Sequence, residues 1–205
     1  MSAAKFRVAP LDAEHNRATF SSGSEPLDRY FQLQVTQDVR RRVTACFVAL
    51  TSERRIAGYY TLAAASILLN DLPSSIGKKL PRYPLVPAVR MGRLAVDQKF
   101  KGLGLGGALL ADAMNRAVHS EIAAYAMVVD ANGHGKDVTP DNETRHARFP
   151  LSNFPPQAGE RANESLREIH VKDKKAAAFY QHHGFIPLPD SPLTLFLPLA
   201  TVATI

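Results

Sequence analysis

The chain has 205 residues, of which 45% are hydrophobic, and this is enough for one well-packed core, so we expect a single domain over residues 1–205. No apolar run is long enough for a membrane helix and no signal-peptide pattern is present, which predicts a cytoplasmic protein without membrane contact. The single cysteine excludes an internal disulfide, the seven histidines show no metal-ligand spacing, and the formal charge of +6 favours an anionic partner.

The first part of the chain predicts strands with one long helix between them. Phe6–Pro10 is typical of a first strand. Ser24 is a candidate N-cap for a helix that has proline in its first turn and runs to about Arg42. Val43–Leu50 and Ile56–Ile67 are rich in β-branched and aromatic residues and predict two adjacent strands.

The central part predicts a strand, a helix and a second strand. Residues 70–87 contain four prolines and predict an irregular connection with at most a short helix. Val89–Val96 predicts the central strand, and Leu103–Val118 predicts a helix that buries one apolar face. Glu121–Asp130 predicts the next strand, apolar as a strand covered on both faces would be. The predicted buried residues of the helix are Leu105, Leu109, Ala113 and Ala117.

The last part begins with a break in the pattern. Residues 132–170 form a polar tract without a sustained period, beyond the usual length of a loop, which we interpret as an irregular insertion. Asp173 can cap a helix that ends at His183 before Gly184. Phe185–Leu188 and Leu193–Leu199 then predict a closing hairpin of strands.

The most informative stretch is Met91–Gly107, in which a strand and a short turn lead to four closely spaced glycines that open a helix. Few side chains would separate a ligand from the main-chain N–H groups there. A helix N-terminus adds unpaired donors and a partial positive charge, so the stretch favours a phosphate. A flexible glycine hinge is the alternative, since glycine also serves plain turns.

Three kinds of phosphate cradle can be compared with these glycines. A P-loop requires Gly-Lys followed by Ser or Thr, and none follows here. The dinucleotide fingerprint GxGxxG matches from Gly102 to Gly107, with Asp130 near the place of its ribose-binding acid, but Asp97–Lys101 separate it from the strand. The acetyl-CoA loop, Arg/Gln-x-x-Gly-x-Gly/Ala after a strand and a turn, fits Lys101–Gly106 with Lys in the leading place.

With this loop the sequence resembles the GNAT superfamily of acetyl-CoA-dependent N-acetyltransferases, and more narrowly the GNAT toxins of bacterial type II toxin–antitoxin systems. The resemblance covers most of the chain in order. It rests on Gly58-Tyr-Tyr-Thr-Leu, Leu80-Pro-Arg-Tyr-Pro, Gly92-Arg-Leu-Ala-Val-Asp, the glycine loop, Val129-Asp-Ala, Phe179-Tyr180 and Gly184-Phe185. It implies an α/β fold with a mixed, mostly antiparallel central sheet that is flanked by helices and splayed at the acetyl-CoA site.

The resemblance also implies how acetyl-CoA is bound, without a metal. Main-chain N–H groups of the splayed strand would bind the pantetheine arm, and the glycine loop would bind the pyrophosphate. The residues concerned are Leu94, Ala95, Val96, Lys101, Gly102, Leu103, Gly104, Leu105, Gly106 and Gly107. Tyr180 occupies the place of the general acid that protonates the departing sulfur, whereas spacing alone favours a half-buried core aromatic.

The implied substrate is the amino acid carried on aminoacyl-tRNA, whose acetylation blocks translation. No carboxylate or histidine is an obvious general base, which suits an α-amine with a pKa of about 8 better than a lysine with a pKa of about 10.4. Arg82, Arg90 and Arg93 would bind the tRNA acceptor stem through its phosphates, although without the resemblance they would be solvated charges. Arg40–Arg42 could contact tRNA or complement a helix C-terminus.

The resemblance further implies a homodimer and a neutralising ribbon-helix-helix antitoxin. Two other functions remain open from the sequence. An acetyltransferase of a protein N-terminus or a small-molecule amine should have an acidic specificity pocket, and none is clear. A CoA-binding protein without turnover would result if the insertion blocked the acceptor cleft.

Overall fold

A computed structural model of the protein describes residues 6–131 and 174–202. The insertion predicted at about 132–170, and the cap predicted at Asp173, lie outside the described residues. Within the described ranges, no helix is both long and apolar enough to cross a membrane, and no group of three or more His, Cys, Asp or Glu residues is placed to hold a metal ion.

The described residues form one seven-stranded sheet in the order β1-β2-β3-β4-β5-β7-β6. The strands are β1 (Arg7–Pro10), β2 (Ala45–Leu50), β3 (Ile56–Leu68), β4 (Leu85–Val96), β5 (Ala126–Asp130), β6 (Ile186–Leu188) and β7 (Ser191–Pro198). All neighbours are antiparallel except β4 and β5, which are parallel. This confirms the predicted mixed, mostly antiparallel sheet and excludes the doubly wound sheet of the dinucleotide-binding alternative.

Helices cover both faces of the sheet. They are α1 (Glu25–Arg29), a π-helical turn (Tyr30–Gln34), α2 (Val35–Arg40), α3 (Ser74–Gly77), α4 (Leu105–Val118) and α5 (residues 174–182). The single helix predicted here is therefore helical from Glu25 to Arg40, but its middle turn, Tyr30–Gln34, is a π-helix. Such a turn inserts an extra residue per turn and shifts which side chains face the sheet.

The starts of β4 and β5 differ from the prediction by more than two residues. β4 begins at Leu85, four residues before the predicted start, and so includes Pro87. A proline is tolerated there because the pairing with β5 begins only at Ala88, so the missing N–H of Pro87 breaks no hydrogen bond to β5. β5 begins only at Ala126, after an exposed turn that includes Ile122.

The core consists of buried clusters on the two faces of the sheet. One face packs against α4 and α5, and the predicted helix residues Leu105, Leu109, Ala113 and Ala117 are all buried there. The other face packs against α1 and α2 at one end and against the segment around α3 at the other. The predicted apolar face of α4 is thus confirmed.

Gly58 of β3 allows α4 to lie close to the sheet. A Cβ atom at this position would be 2.8 Å from Leu109 Cδ1 and 2.9 Å from the carbonyl oxygen of Ala95. Because real Cβ atoms do not approach other heavy atoms so closely, any larger residue would push α4 away from the sheet. The glycine in the Gly-Tyr-Tyr-Thr-Leu motif therefore sets the position of the helix that carries the glycine loop.

Candidate active site

The sheet opens between β4 and β5. Their parallel pairing ends at Met91 and Val129, although β4 continues to Val96 and stays paired with β3 to its end. Among the described residues, the β5-facing edge of β4 is therefore open from Gly92 onward. An open strand edge presents unpaired N–H and C=O groups to a ligand. The three predicted pantetheine-binding residues, Leu94, Ala95 and Val96, lie on this edge.

Tyr180 lies at the point where the two strands diverge. Its Oη is 4.0 Å from the Sδ of Met91, the last residue of β4 that pairs with β5. The ring contacts the rings of Phe179 and Phe185 at centroid distances of 5.2 and 5.5 Å, and the side chain is buried. Tyr180 is thus both the core aromatic that its spacing suggests and a phenol at the start of the opening.

The phenol of Tyr180 keeps its proton. Burial raises the pKa of Tyr180 above its ordinary value of 10.0, and the negative charge of Asp130 raises it further. At neutral pH the group is therefore a hydrogen-bond donor and not a base.

The glycine loop has the backbone geometry of a ligand cradle. Gly102 and Gly104 have φ angles of 77° and 76°, in the left-handed region that side chains disfavour. Among the residues that the structure describes, no atom lies within 4 Å of a Cβ built on either glycine, so the space above the loop is open to a ligand. Gly104 is the N-cap of α4 and has no side chain to accept from the first turn, whose N–H groups find no acceptor among the described residues. Such donors suit an anion.

The start of α4 packs directly on the helix that carries Tyr180. A Cβ at Gly106 would lie 3.7 Å from the Phe179 ring, and a Cβ at Gly107 would lie 3.3 Å from the His183 ring. The glycines therefore serve close packing as well as ligand access. This contact fixes the cradle relative to Tyr180.

A buried aspartate joins the turn before the cradle to the loop before α1. Asp97 Oδ2 accepts a hydrogen bond from the main-chain N–H of Ser21 (3.2 Å), and its Oδ1 accepts one from the main-chain N–H of Lys99 (3.0 Å). Lys101 Nζ donates to the carbonyl oxygen of Ser22 at 2.6 Å, so the charge predicted to support the pyrophosphate is held at this loop. This connection is not among the sequence-based predictions; its signal is an aspartate directly after a strand, a residue type that commonly accepts from nearby main-chain N–H groups.

Two of the three predicted arginines lie on the sheet face opposite α4 and α5. Side chains alternate along a strand, so residues an odd number of positions apart normally point to opposite faces. The register with β3 shifts between Met91 and Arg93, which leaves Gly92 as a bulge. The bulge brings Arg90 and Arg93 to one face. Arg82 is exposed in the loop before β4, and no described contact joins it to them.

Arg93 is held against an aromatic ring. Its guanidinium carbon lies 3.4 Å from the centroid of the Tyr30 ring, and Tyr30 Oη donates to Asp38 Oδ2 at 2.9 Å. Tyr30 belongs to the π-helical turn, so the altered helix geometry places the ring beneath the arginine. A cation stacked on an aromatic ring keeps its charge and gains a defined position.

Asp130, the last residue of β5, lies beside Arg90 where the pairing of the two strands ends. Its Oδ1 accepts a hydrogen bond from Thr194 Oγ1 at 2.8 Å, and its Oδ2 is 3.8 Å from Arg90 Nε. The Nε atom is buried and has no hydrogen-bond partner among residues 6–131 and 174–202. From the sequence, Asp130 is a candidate ribose-binding acid and part of the Val129-Asp-Ala motif; the arrangement of β4, β5 and β7 places it beside Arg90 and Thr194.

Comparison with known proteins shows similarity along nearly the whole chain. It is 36% identical over 179 residues to the tRNA-acetylating toxin of Mycobacterium tuberculosis, which covers 87% of this chain and 83% of that protein. It is 26% identical over 207 residues to the probable toxin TacT of Sinorhizobium fredii, which covers 99% of this chain and 96% of that protein. No protein-family model matches the chain.

Solved structures show the same architecture. AtaT complexed with acetyl-methionyl-tRNAfMet has a TM-score of 0.71 at 25% identity and covers 98% of both chains. An AtaT mutant bound to the C-terminus of the antitoxin AtaR and to acetyl-CoA has a TM-score of 0.64 at 20% identity, and the match covers 98% of this chain and 97% of that chain. At this lower identity the second likeness concerns the fold alone. Both confirm the predicted fold.

Proposed function

Since the chain belongs to the family of tRNA-acetylating GNAT toxins, we propose that it transfers an acetyl group from acetyl-CoA to the α-amine of the amino acid on aminoacyl-tRNA and so blocks translation. The observation that carries the proposal is the position of Tyr180. Its protonated phenol lies at the divergence of β4 and β5, on the helix that packs against the glycine cradle.

The residues of the opening fit acetyl-CoA. The cradle of residues 101–107 supplies unpaired N–H groups and a helix N-terminus for the pyrophosphate, with Lys101 nearby. The open edge of β4 at Leu94, Ala95 and Val96 supplies main-chain groups for the pantetheine amides. When bound, acetyl-CoA supplies an activated acyl group. No metal is needed, because a thioester reacts directly with an amine.

Tyr180 acts on the leaving group. The transfer forms an N–C bond and breaks a C–S bond, so one proton leaves the amine and one reaches the sulfur. An ordinary thiol has a pKa of about 8.5, below the raised pKa of this phenol, so Tyr180 donates a hydrogen bond to the developing thiolate and the sulfur takes its proton from solvent. Loss of one preorganised donor of this kind typically costs about 100- to 1,000-fold in rate.

The acceptor approaches from the other face of the sheet, where Arg90 and Arg93 lie. We propose that these two and the exposed Arg82 bind the acceptor end of the tRNA. An α-amine has a pKa of about 8, and the ester lowers it further, so a useful fraction is neutral at physiological pH. Water can then accept the proton, and the site needs no strong general base.

The partners and location follow from the same proposal. AtaT forms complexes with tRNA and with the antitoxin AtaR. For this chain we propose a ribbon-helix-helix antitoxin, a homodimer and a cytoplasmic location, where its tRNA substrate is found. We also treat residues 1–205 as one domain, with the insertion near 132–170. This is supported by the one sheet that combines strands from both described parts of the chain.

One experiment tests the activity. Labelled acetyl-CoA is incubated with the protein alone, with deacylated tRNA, and with a pool of charged tRNAs. We expect label in the aminoacyl fraction of the charged pool only. Transfer to peptides or small amines instead would indicate a different acetyltransferase, and tight acetyl-CoA binding without any transfer would indicate a binding protein. Expression in cells should arrest growth, and Tyr180→Phe should relieve the arrest.

A further inference from the structure

The opening carries a donor and an acceptor that no residue in the described part of the chain satisfies. Arg90 Nε is buried without a hydrogen-bond partner, and Asp130 Oδ2 is 3.8 Å away, beyond hydrogen-bonding distance. Buried polar groups in folded proteins nearly always have a partner. A ligand that both accepts from the arginine and donates to the aspartate would complete the pair.

The carboxylate is held in a fixed position. Thr194 Oγ1 donates to Asp130 Oδ1, and the two residues are direct neighbours in the pairing of β5 with β7. This bond uses one oxygen and leaves Oδ2 directed toward Arg90. The side chains of Arg90 and Asp130 are 38% and 36% exposed, so a ligand can contact both. The Nε atom of Arg90 is itself covered, so it reaches a ligand only when the guanidinium turns toward the opening.

The charge of the pair excludes a simple phosphate site. Asp130 offsets the charge of Arg90 and would repel a phosphate placed between them. Arg93 differs from Arg90 in that its guanidinium lies on the uncharged Tyr30 ring, which does not offset its charge. A ligand suited to the pair therefore has a positive or hydrogen-bond-donating group next to a neutral acceptor.

The position of the pair matches the direction of attack. Met91 packs in the cluster with α4, α5 and Tyr180, so the preceding residue, Arg90, points to the opposite face of the sheet. On β5, Val128 packs on this opposite face, and Asp130 follows it by two positions. An amine bound there would enter the opening opposite the phenol that assists the leaving group.

We propose that Asp130 binds the α-amino group of the aminoacyl ester and that Arg90 Nε donates to the ester carbonyl, with Thr194 as a positioning residue. This rests on the proposed function and gives Arg90 a more specific role than a phosphate contact. An aminoacyl ester presents both groups next to each other, whereas deacylated tRNA presents neither. The pair would therefore distinguish charged from uncharged tRNA.

Binding without acetyl-CoA tests the inference apart from catalysis. The probes are one tRNA in three forms: aminoacylated, deacylated, and carrying the α-hydroxy acid in place of the amino acid. Fluorescence anisotropy gives the Kd of each. Wild type should prefer the aminoacyl form over the hydroxyacyl form. Asp130→Asn should reduce that preference by about 10- to 100-fold, the value of a hydrogen bond to a charged group, while the Kd for deacylated tRNA stays within about twofold.

Two further variants complete the design. Asp190→Asn makes the same change in an exposed turn and should leave all three affinities unchanged. Thr194→Val frees Oδ1 without changing the charge and should reduce the preference by a smaller factor. If Asp130→Asn does not fold, Thr194→Val decides: an unchanged preference overturns the inference.

Other outcomes separate the inference from the proposed function. Two results would show that Asp130 does not bind the amine. In one, Asp130→Asn folds and keeps the preference for aminoacyl over hydroxyacyl tRNA; in the other, its affinity for deacylated tRNA falls by the same factor as its affinity for aminoacyl tRNA. Arg90→Met should leave the salt dependence of deacylated tRNA binding unchanged; a loss of about one from the logarithmic slope would assign Arg90 to a phosphate. In either case wild-type transfer to charged tRNA would still support the proposed function, whereas its absence would refute that function.

Discussion

Tyr180→Phe separates catalysis from packing, because the phenol makes almost no structural contact through its hydroxyl. Its only hydrogen-bond acceptor in the described part of the chain is the Met91 thioether at 4.0 Å, a weak interaction. Removing it should cost less than about 1 kcal/mol of unfolding free energy, or about 2–4 °C in Tm at most. The transfer rate should fall by about 100- to 1,000-fold, since no described group replaces the donor at the sulfur.

Tyr60→Phe is the matched control. Tyr60 is also fully buried, and its Oη donates to Asp112, which also accepts from Arg116 Nε at 2.8 Å. Losing a hydrogen bond to a carboxylate should cost about 1.5–3 kcal/mol, so this variant should lose several degrees in Tm and keep its turnover. The two phenol-to-phenyl changes are thus expected to have opposite effects on rate and stability.

The assay is single-turnover transfer from labelled acetyl-CoA to charged tRNA, with Tm and the acetyl-CoA Kd measured on the same preparations. The acetyl-CoA Kd of Tyr180→Phe should stay within about twofold of wild type, because the phenol acts on the leaving group as charge develops. Near-normal transfer by Tyr180→Phe would refute the reasoning and leave the residue a packing role. A loss of rate accompanied by a large fall in Tm would show that the ring had moved.

Three further predictions concern the cradle, the tRNA contacts and the buried thiol. Gly104→Val places a β-branched residue at a φ of 76° and should raise the acetyl-CoA Kd at least about tenfold by calorimetry, so unchanged affinity would contradict the cradle. Arg82→Ala should weaken binding of all tRNAs and lower the logarithmic salt slope by about one, and Arg7→Ala on an exposed edge strand should not; equal slopes would remove Arg82 from the interface. Burial raises the pKa of Cys46 from 9.0 to about 12, so the unfolded chain loses this proton first; stability is retained below pH 9 and falls by about 1.4 kcal/mol per pH unit above it. Urea denaturation should show that decline between pH 9 and 10, reduced in Cys46→Ala, and equal curves for the two proteins would contradict it.

The open backbone of the glycine loop and the burial of Tyr180 could be predicted from the sequence because each rests on local chemistry. Glycines at the start of a helix expose N–H groups wherever the helix is placed, and Gly102 and Gly104 have the left-handed angles that their residue type allows. The apolar period of α4 likewise specified its buried face. For Tyr180 the spacing alone indicated a core aromatic, and the motif supplied the catalytic interpretation. The position of Tyr180 is compatible with both interpretations, because its ring is buried in the core while its hydroxyl lies where β4 and β5 diverge.

The sequence by itself determined most of the helices and strands, the glycine loop at the start of α4 and the family, because these depend on residue type and on spacing along the chain. Only the tertiary structure decided which polar side chains meet. The bulge at Gly92 reverses the alternation of β4 and so brings Arg90 to the face of Arg93. Pairing of β5 with both β4 and β7 then places Asp130 between Arg90 and Thr194. Register and strand order are long-range properties, and no local pattern specifies them.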